Sequence, residues 1–344
     1  MKKFAYFDSG HEFPEEIVMA AGLTPYKILG NVEAGTGAAD DYLHSYFCPF
    51  ARSCLNQALN QSSEWAGIGF AHGCDATNRH YDVWRRHIDN RFFWVNTPMK
   101  TDTTAAGFHL RNLEDFKAGL ETALATEIDN DKLAEAIRLS NRIKEKMRHL
   151  AELRGQRDIP NPDYFEMVRM AVQAPKAEVL EKLKELEDEW SARPPFPKAM
   201  APVLLTGSDV TFPSWMEVME EAGLRVVRDD LSLGERYFHA RIPETPDPLR
   251  ALVAYYAAQP QPATRVPSDR RLEFLLEALW ENGLKGVVSQ NLKFCEPYAI
   301  DAVWTLDELR KRGFKVIHLE REYTPTMDHQ AMTRLETFRH LLGP

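Results

Sequence analysis

Cysteine is scarce in this chain. There are four in 344 residues, Cys48, Cys54, Cys74 and Cys295. So sparse a set excludes a scaffold held by disulfides. Positive charge is in deficit as well: 42 Lys and Arg against 51 Asp and Glu give a net charge of −9. That balance argues against a general nucleic-acid binder, which needs a basic footprint, and no nucleic-acid partner is expected. No long apolar run exists. The longest uncharged stretch, 251–264, contains Gln259, Pro260, Gln261 and Pro262 and is shorter than a membrane span, so no membrane partner is expected either. The start, Met1-Lys2-Lys3 then Phe4-Ala5-Tyr6-Phe7, runs at once into Asp8, His11, Glu12, Glu15 and Glu16, without the apolar stretch of a signal peptide. The expected compartment is cytoplasmic, where thiols stay reduced and available for metal binding or reaction.

Nucleotide motifs are missing too. There is no G-x-x-x-x-G-K-[ST], so no P-loop. Gly35-Thr36-Gly37 is followed by Asp40 where a dinucleotide fingerprint would carry its third glycine. There is no G-x-S-x-G elbow and no H-E-x-x-H. No ATP or NAD site is expected in this chain, and chemistry that needs either would draw it from another chain.

With 44% hydrophobic and 27% charged residues, the composition is that of a globular protein, long enough for two domains or one large one. Short apolar runs at 66–71 and 92–95, with a weaker one at 26–29, read as strands. Helical patterns cover about 49–59, 77–87 and 113–125. This βα rhythm favours a parallel sheet. From about 130 to 154, Leu133, Ile137, Ile143, Met147 and Leu150 recur at helical spacing, and 177–190 repeats the pattern with Val179, Leu180, Leu183 and Leu186. Such stretches are amphipathic packing helices or, alternatively, a helical arm that meets a partner subunit. Residues 191–202 hold Pro194, Pro195, Pro197 and Pro202, which end helices and stiffen linkers. The rhythm then returns: strands at 203–206, 225–227, 286–289 and 315–319, with helices at 214–222, 248–258, 271–282, 298–312 and 327–342. The expected fold is α/β: two doubly wound parallel-sheet domains, Rossmann- or flavodoxin-like, with a helical insertion between them. One domain spans 1–200, with its helical segment at about 113–193, and the other 201–344.

Three cysteines stand at the starts of expected helices. Cys48 precedes Pro49. Cys74 precedes Asp75-Ala76, beyond the strand at 66–71. Cys295 precedes Glu296-Pro297, beyond the strand at 286–289. A helix N-terminus offers unpaired N–H groups and partial positive charge, which steady a thiolate. Three thiolates brought together need a cation or cluster between them, so zinc and an iron–sulfur cluster are the options. The C-x₅-C spacing of Cys48 and Cys54 does not match the close pairs of zinc ribbons, and contiguous ferredoxin-type runs are absent. Cys54, inside the helix beside Leu55, reads as a small buried hydrophobe.

The local sequences resemble the 2-hydroxyacyl-CoA dehydratase / benzoyl-CoA reductase family, and within it the D-component, its iron–sulfur subunit. Residues 14–22 (PEEIVMAAG) resemble its opening motif, and 47–54 (FCPFARSC) its first cysteine motif. Residues 72–76 (HGCDA), with Tyr81-Asp82-Val83-Trp84, resemble the second. Residues 205–208 (LTGS) and 229–236 (DDLSLGER) look like two motifs of the carboxyl half, and 293–297 (KFCEP) like the third cysteine motif. Residues 319–322 (LERE) and 333–338 (TRLETF) resemble the ending. The match keeps its order from about 12 to 341, most loosely over 113–200. The resemblance implies one [4Fe–4S] cluster in the cleft between two α/β domains, held by Cys48, Cys74 and Cys295. It further implies a homologous second subunit, or a second copy of this chain, a separate iron–sulfur ATPase as activator, and an acyl-CoA substrate. Four cysteines are too few for a double cubane, and some relatives carry a cysteine near the position of Ser232, so a single cluster is implied here.

The reaction implied is one-electron reduction of the thioester carbonyl to a ketyl radical. This leads to 2-hydroxyacyl-CoA dehydration or to benzoyl-CoA-type ring reduction. Glu296, Ser208 and His72 are candidates for proton handling, each with local capping or a surface contact as its other reading. Arg236 is a candidate for a CoA phosphate, or for a salt bridge. A non-catalytic electron-transfer subunit and a zinc-binding structural protein are the alternatives.

Overall fold

The computed structural model describes residues 1–10, 12–325 and 329–343. In chain order the elements are β1 (Lys3–Phe7), α1 (Glu15–Ala20), β2 (Thr24–Lys27), α2 (Pro49–Gln61), β3 (Trp65–Ala71), α3 (Asp75–His87), β4 (Phe92–Val95) and α4 (Thr103–Leu124). The helices α5 (Asn130–Leu153), α6 (Asn161–Gln173) and α7 (Lys176–Ala192) follow. Then come β5 (Ala201–Gly207), α8 (Ser214–Glu221), β6 (Leu224–Asp229), α9 (Glu235–Phe238), α10 (Pro248–Ala258), α11 (Asp269–Glu281), β7 (Gly286–Leu292), α12 (Glu296–Lys311), β8 (Lys315–Arg321) and α13 (His329–Leu342). Met327, where the sequence pattern starts the last helix, lies outside the described residues. Two compact units form. One comprises Met1–Glu145, Met170–Lys182 and His239–Gln259; the other comprises Lys146–Arg169, Leu183–Phe238 and Pro260–Pro344. Among the described residues, no helix is long and apolar enough to cross a membrane.

The first unit is built on a four-stranded parallel sheet of order β2-β1-β3-β4. Its central strand, β1, is absent from the strands the sequence pattern gives, because four apolar residues are too few to show periodicity. Pairing on both edges buries Phe4, Ala5, Tyr6 and Phe7 all the same, and a parallel strand covered on both faces reads as a continuous apolar run. β2 lies two residues earlier than its apolar run suggests. Gly67 and Gly69 in β3 make room for aromatic rings: a Cβ on Gly69 would sit 2.3 Å from the Phe13 ring. Phe4, Phe13, Phe93 and Phe116 fill the space so made, with Leu133 and Ile137 of α5 in the same core. The apolar stripe of α5 is thus a packing face, as its spacing requires.

Three buried lysines hold the polar residues of this unit. Lys27 pairs with Asp8. Lys176 lies 2.8 Å from Glu15, whose other oxygen accepts a 2.6 Å bond from the Tyr6 hydroxyl. Lys144 of α5 lies 3.1 Å from Glu16, and the Ser140 hydroxyl donates to the same carboxylate at 2.6 Å. α1 has only six residues, and these pairs fasten it to α5 and α7.

The second unit repeats the pattern with a parallel sheet of order β6-β5-β7-β8. In both sheets the first and third strands of the unit lie side by side in the middle, with the second and fourth at the edges. The fold is the expected doubly wound α/β type. Gly207 closes β5 at φ 126°, where an added Cβ would fall 1.8 Å from the Gln290 carbonyl oxygen of β7, so only glycine fits.

Burial works against the Glu16 charge, but Lys144 and Ser140 outweigh it and hold its carboxyl below the ordinary range. The pair's stabilisation is therefore complete above the unfolded carboxyl pKa and is lost as pH falls through the lower folded value. Lys144→Met leaves Glu16 buried without its lysine. Thermal or urea unfolding near pH 7 is expected to show a loss of about 3–5 kcal/mol. The double variant Lys144→Met/Glu16→Gln should recover part of that loss.

Candidate functional site

Each of the three cysteines at helix starts is an N-cap residue: Cys48 for α2, Cys74 for α3 and Cys295 for α12. Pro49 and Pro297 fall in the first turn of their helices, where a missing N–H costs nothing. Cys74 and Cys295 occupy matching places. Each lies three residues beyond the third strand of its own sheet, after Ala71 and after Leu292 respectively. These loops leave the carboxyl edge at the point where the strand order reverses, which is where open α/β sheets bind ligands.

The local chain fixes each thiol. At Cys74 a reciprocal cap forms: the Thr77 amide donates to Sγ, and Thr77 Oγ1 accepts from the Cys74 amide at 3.2 Å and the Gly73 amide at 3.1 Å. At Cys295 the amide donates to Leu292 O at 2.9 Å, and Phe294 before it takes a left-handed φ of 67°. A phenylalanine there is unusual and marks a turn that the surroundings enforce. All three N-cap cysteines are partly exposed, and none of the four is in a disulfide. Cys54 is fully buried in α2 and its thiol points at Ile28 O at 3.7 Å, which fits a core residue.

Cys48 and Cys74 belong to the first unit and Cys295 to the second. Among the described residues, no group of three or more His, Cys, Asp and Glu side chains is gathered at metal-binding range. Each of these thiols, at the N-terminus of a helix of 13 or 16 residues with the helix end's partial positive charge at hand, is a donor of the kind a soft metal takes.

The other sequence candidates lie in distinct settings. His72 is half-buried at the end of β3, with Nδ1 donating to Thr97 O at 3.1 Å. Ser208 is buried just after β5, and its Oγ accepts from the Leu292 amide at 2.7 Å, tying the β5 end to the β7 end. Glu296 is exposed in the first turn of α12. Arg236 is 1% exposed, with Asp230 at 3.9 Å and the Tyr298 ring centre at 5.7 Å. Burial opposes its charge, but Tyr298, Asp230 and Asp209 prevail and keep it protonated. Beside it, Arg271 donates to Asp230 at 2.9 Å and to Thr206 at 2.7 Å, and it pairs with Asp301 of α12.

One residue near the cysteines carries no sequence signal. His80 of α3 is buried against Phe7 and accepts a 3.3 Å bond from Trp84 Nε1 at its Nδ1. Burial pushes its pKa down to about 3, so the ring is neutral and its proton sits on Nε2. On sequence alone it is one of eleven histidines.

A family model described as 2-hydroxyglutaryl-CoA dehydratase, D-component, matches residues 11–342. The chain belongs to that family. It is 23% identical over 339 residues to the (R)-phenyllactyl-CoA dehydratase beta subunit of Clostridium sporogenes, covering 96% of this chain and 89% of the relative. It is 24% identical over 340 residues to the beta subunit of (R)-2-hydroxyglutaryl-CoA dehydratase from Acidaminococcus fermentans, covering 96% and 90%. It is also 24% identical over 341 residues to the lactoyl-CoA dehydratase beta subunit of Anaerotignum propionicum, covering 96% and 89%.

Brief iodoacetamide treatment of the native, metal-free protein should alkylate Cys48, Cys74 and Cys295 and spare Cys54 until the chain is unfolded, as read by peptide mass spectrometry.

Proposed function

We propose that this chain is the iron–sulfur subunit of an ATP-activated 2-hydroxyacyl-CoA dehydratase. One observation carries the reading: three cysteines of a dehydratase D-component chain each cap a helix, two of them at matching places beyond the third strands of two like-ordered sheets. Cys48, Cys74 and Cys295 would hold one [4Fe–4S] cluster. With three protein thiolates the cluster would supply electrons of low potential and an iron able to act as a Lewis acid. The relatives' names, all dehydratases, favour dehydration over ring reduction. Their standing as beta subunits supports a second, similar subunit as partner. A separate iron–sulfur ATPase would supply the electron, since no P-loop occurs in this chain.

The chain's own side chains have separate tasks in this scheme. The helix N-termini favour the thiolate form of the ligands. Thr77 orients Cys74 by donating its amide to the sulfur. Ser208 holds the β5 and β7 ends together, which sets where α12 and its N-cap begin. In this scheme the His72 ring, held by Thr97, and the exposed Glu296 carboxylate would exchange protons beside Cys74 and Cys295. Arg236 acts from the interior through Asp230 and Tyr298, which favours its salt-bridge role over contact with a CoA phosphate.

Anaerobic reconstitution with iron and sulfide tests the ligands. Cys48→Ser, Cys74→Ser and Cys295→Ser are each expected to lose most bound iron and the broad visible absorbance, and Cys54→Ser to keep both. Full iron content in Cys74→Ser, or zinc in place of iron, would refute the assignment. With partner subunit, activator and ATP, a panel of 2-hydroxyacyl-CoA esters should yield a 2-enoyl-CoA. A loaded cluster whose EPR signal ignores every ester would point to an electron-transfer subunit.

A further inference from the structure

His80 is a buried polar group to which the scheme above gives no task. Its side chain is fully buried. Trp84 Nε1 lies 3.3 Å from Nδ1, and an indole N–H can only donate, so Nδ1 accepts and the ring proton sits on Nε2. That Nε2–H is buried with no hydrogen-bond partner among the described residues. Orphaned buried donors are rare in folded chains and point to a water or ligand that completes them. A phenylalanine would fill the same aromatic surroundings without burying a polar atom.

The setting of the ring indicates what the donor serves. Side chains of a helix lean toward its N-terminus, and the N-cap of α3 is Cys74. Trp84, one turn further on, holds the Nδ1 side of the ring. The ring packs against Phe7 at the end of β1, with centroids 6.0 Å apart, and edge-on against Phe47 at 6.4 Å. Phe47 directly precedes Cys48. His80 thus lies on the helix that Cys74 caps and touches the segment that leads into Cys48. All of these residues belong to the first unit.

We propose that His80 Nε2–H donates a hydrogen bond to a sulfur of the metal centre, on the side held by Cys48 and Cys74. The proposal rests on the iron–sulfur reading above. Hydrogen bonds to the sulfurs of such a centre favour its more negative, reduced state and so raise its reduction potential. The proton stays on Nε2 throughout. His80 is therefore a tuning residue and not a catalytic one, and Trp84 fixes the tautomer that makes it a donor.

The test reconstitutes the full chain with iron and sulfide as wild type, His80→Phe and His80→Gln, and titrates each by EPR against potential. His80→Phe keeps the packing and loses both ring nitrogens. His80→Gln keeps an acceptor for Trp84 and an N–H donor. Equal iron content is expected in all three, with a more negative potential in His80→Phe and a value nearer wild type in His80→Gln. Pulsed EPR of the reduced wild type, labelled with ¹⁵N-histidine, should show a weak coupling to a histidine nitrogen that vanishes in His80→Gln. Equal potentials in wild type and His80→Phe would overturn the proposal while leaving the iron–sulfur reading intact. So would the absence of that coupling in wild type, which decides the matter even if His80→Phe fails to fold. A wild-type chain that takes up no iron would overturn both readings together.

Discussion

Parallel pairing around a central first strand is the constraint on which the rest of each unit depends. Because β1 pairs with β2 on one side and β3 on the other, its following loop and that of β3 emerge at the same edge and diverge. The second unit does the same with β5 between β6 and β7. The edge is thus defined before any functional residue is chosen. Asp8, Glu12, His72 and Cys74 arrive at one such edge, and Ser208 and Cys295 at the other, because each follows a strand end at short range.

Polar groups buried at these edges hold their places by pairing. Asp8 caps its own loop with two amide bonds and neutralises Lys27. In the second unit, Arg271 binds Asp230, Thr206 and Asp301, which ties the ends of β5 and β6 to α12. Such networks cost a great deal if half-satisfied and fix geometry when complete.

Much of this was legible in the sequence. The strands at β3, β4 and β5–β8 show as apolar runs, and the cysteines show as helix starts because proline or aspartate follows them. Other features needed the fold. β1 is too short for periodicity, and α1 is a single acidic turn-and-a-half whose stability comes from lysines far along the chain, Lys144 and Lys176. Ser208 reads as a strand-end hydroxyl, but its partner, the Leu292 amide, is 84 residues away. Arg236 reads as a candidate for a CoA phosphate or for a salt bridge, and the fold buries it beside Asp230 and Tyr298.

The equal three-residue offset of Cys74 and Cys295 from their strands bears on how this chain can change in length. Inserting or deleting one residue at either junction would shift the N-cap position relative to the strand end. The thiol would swing off the edge even though every side chain was kept. Surface loops elsewhere can absorb such changes at little cost. Drift in length is therefore expected to collect in the loop between β2 and α2 and in the stretch from α9 to α11, while these two short junctions keep their count.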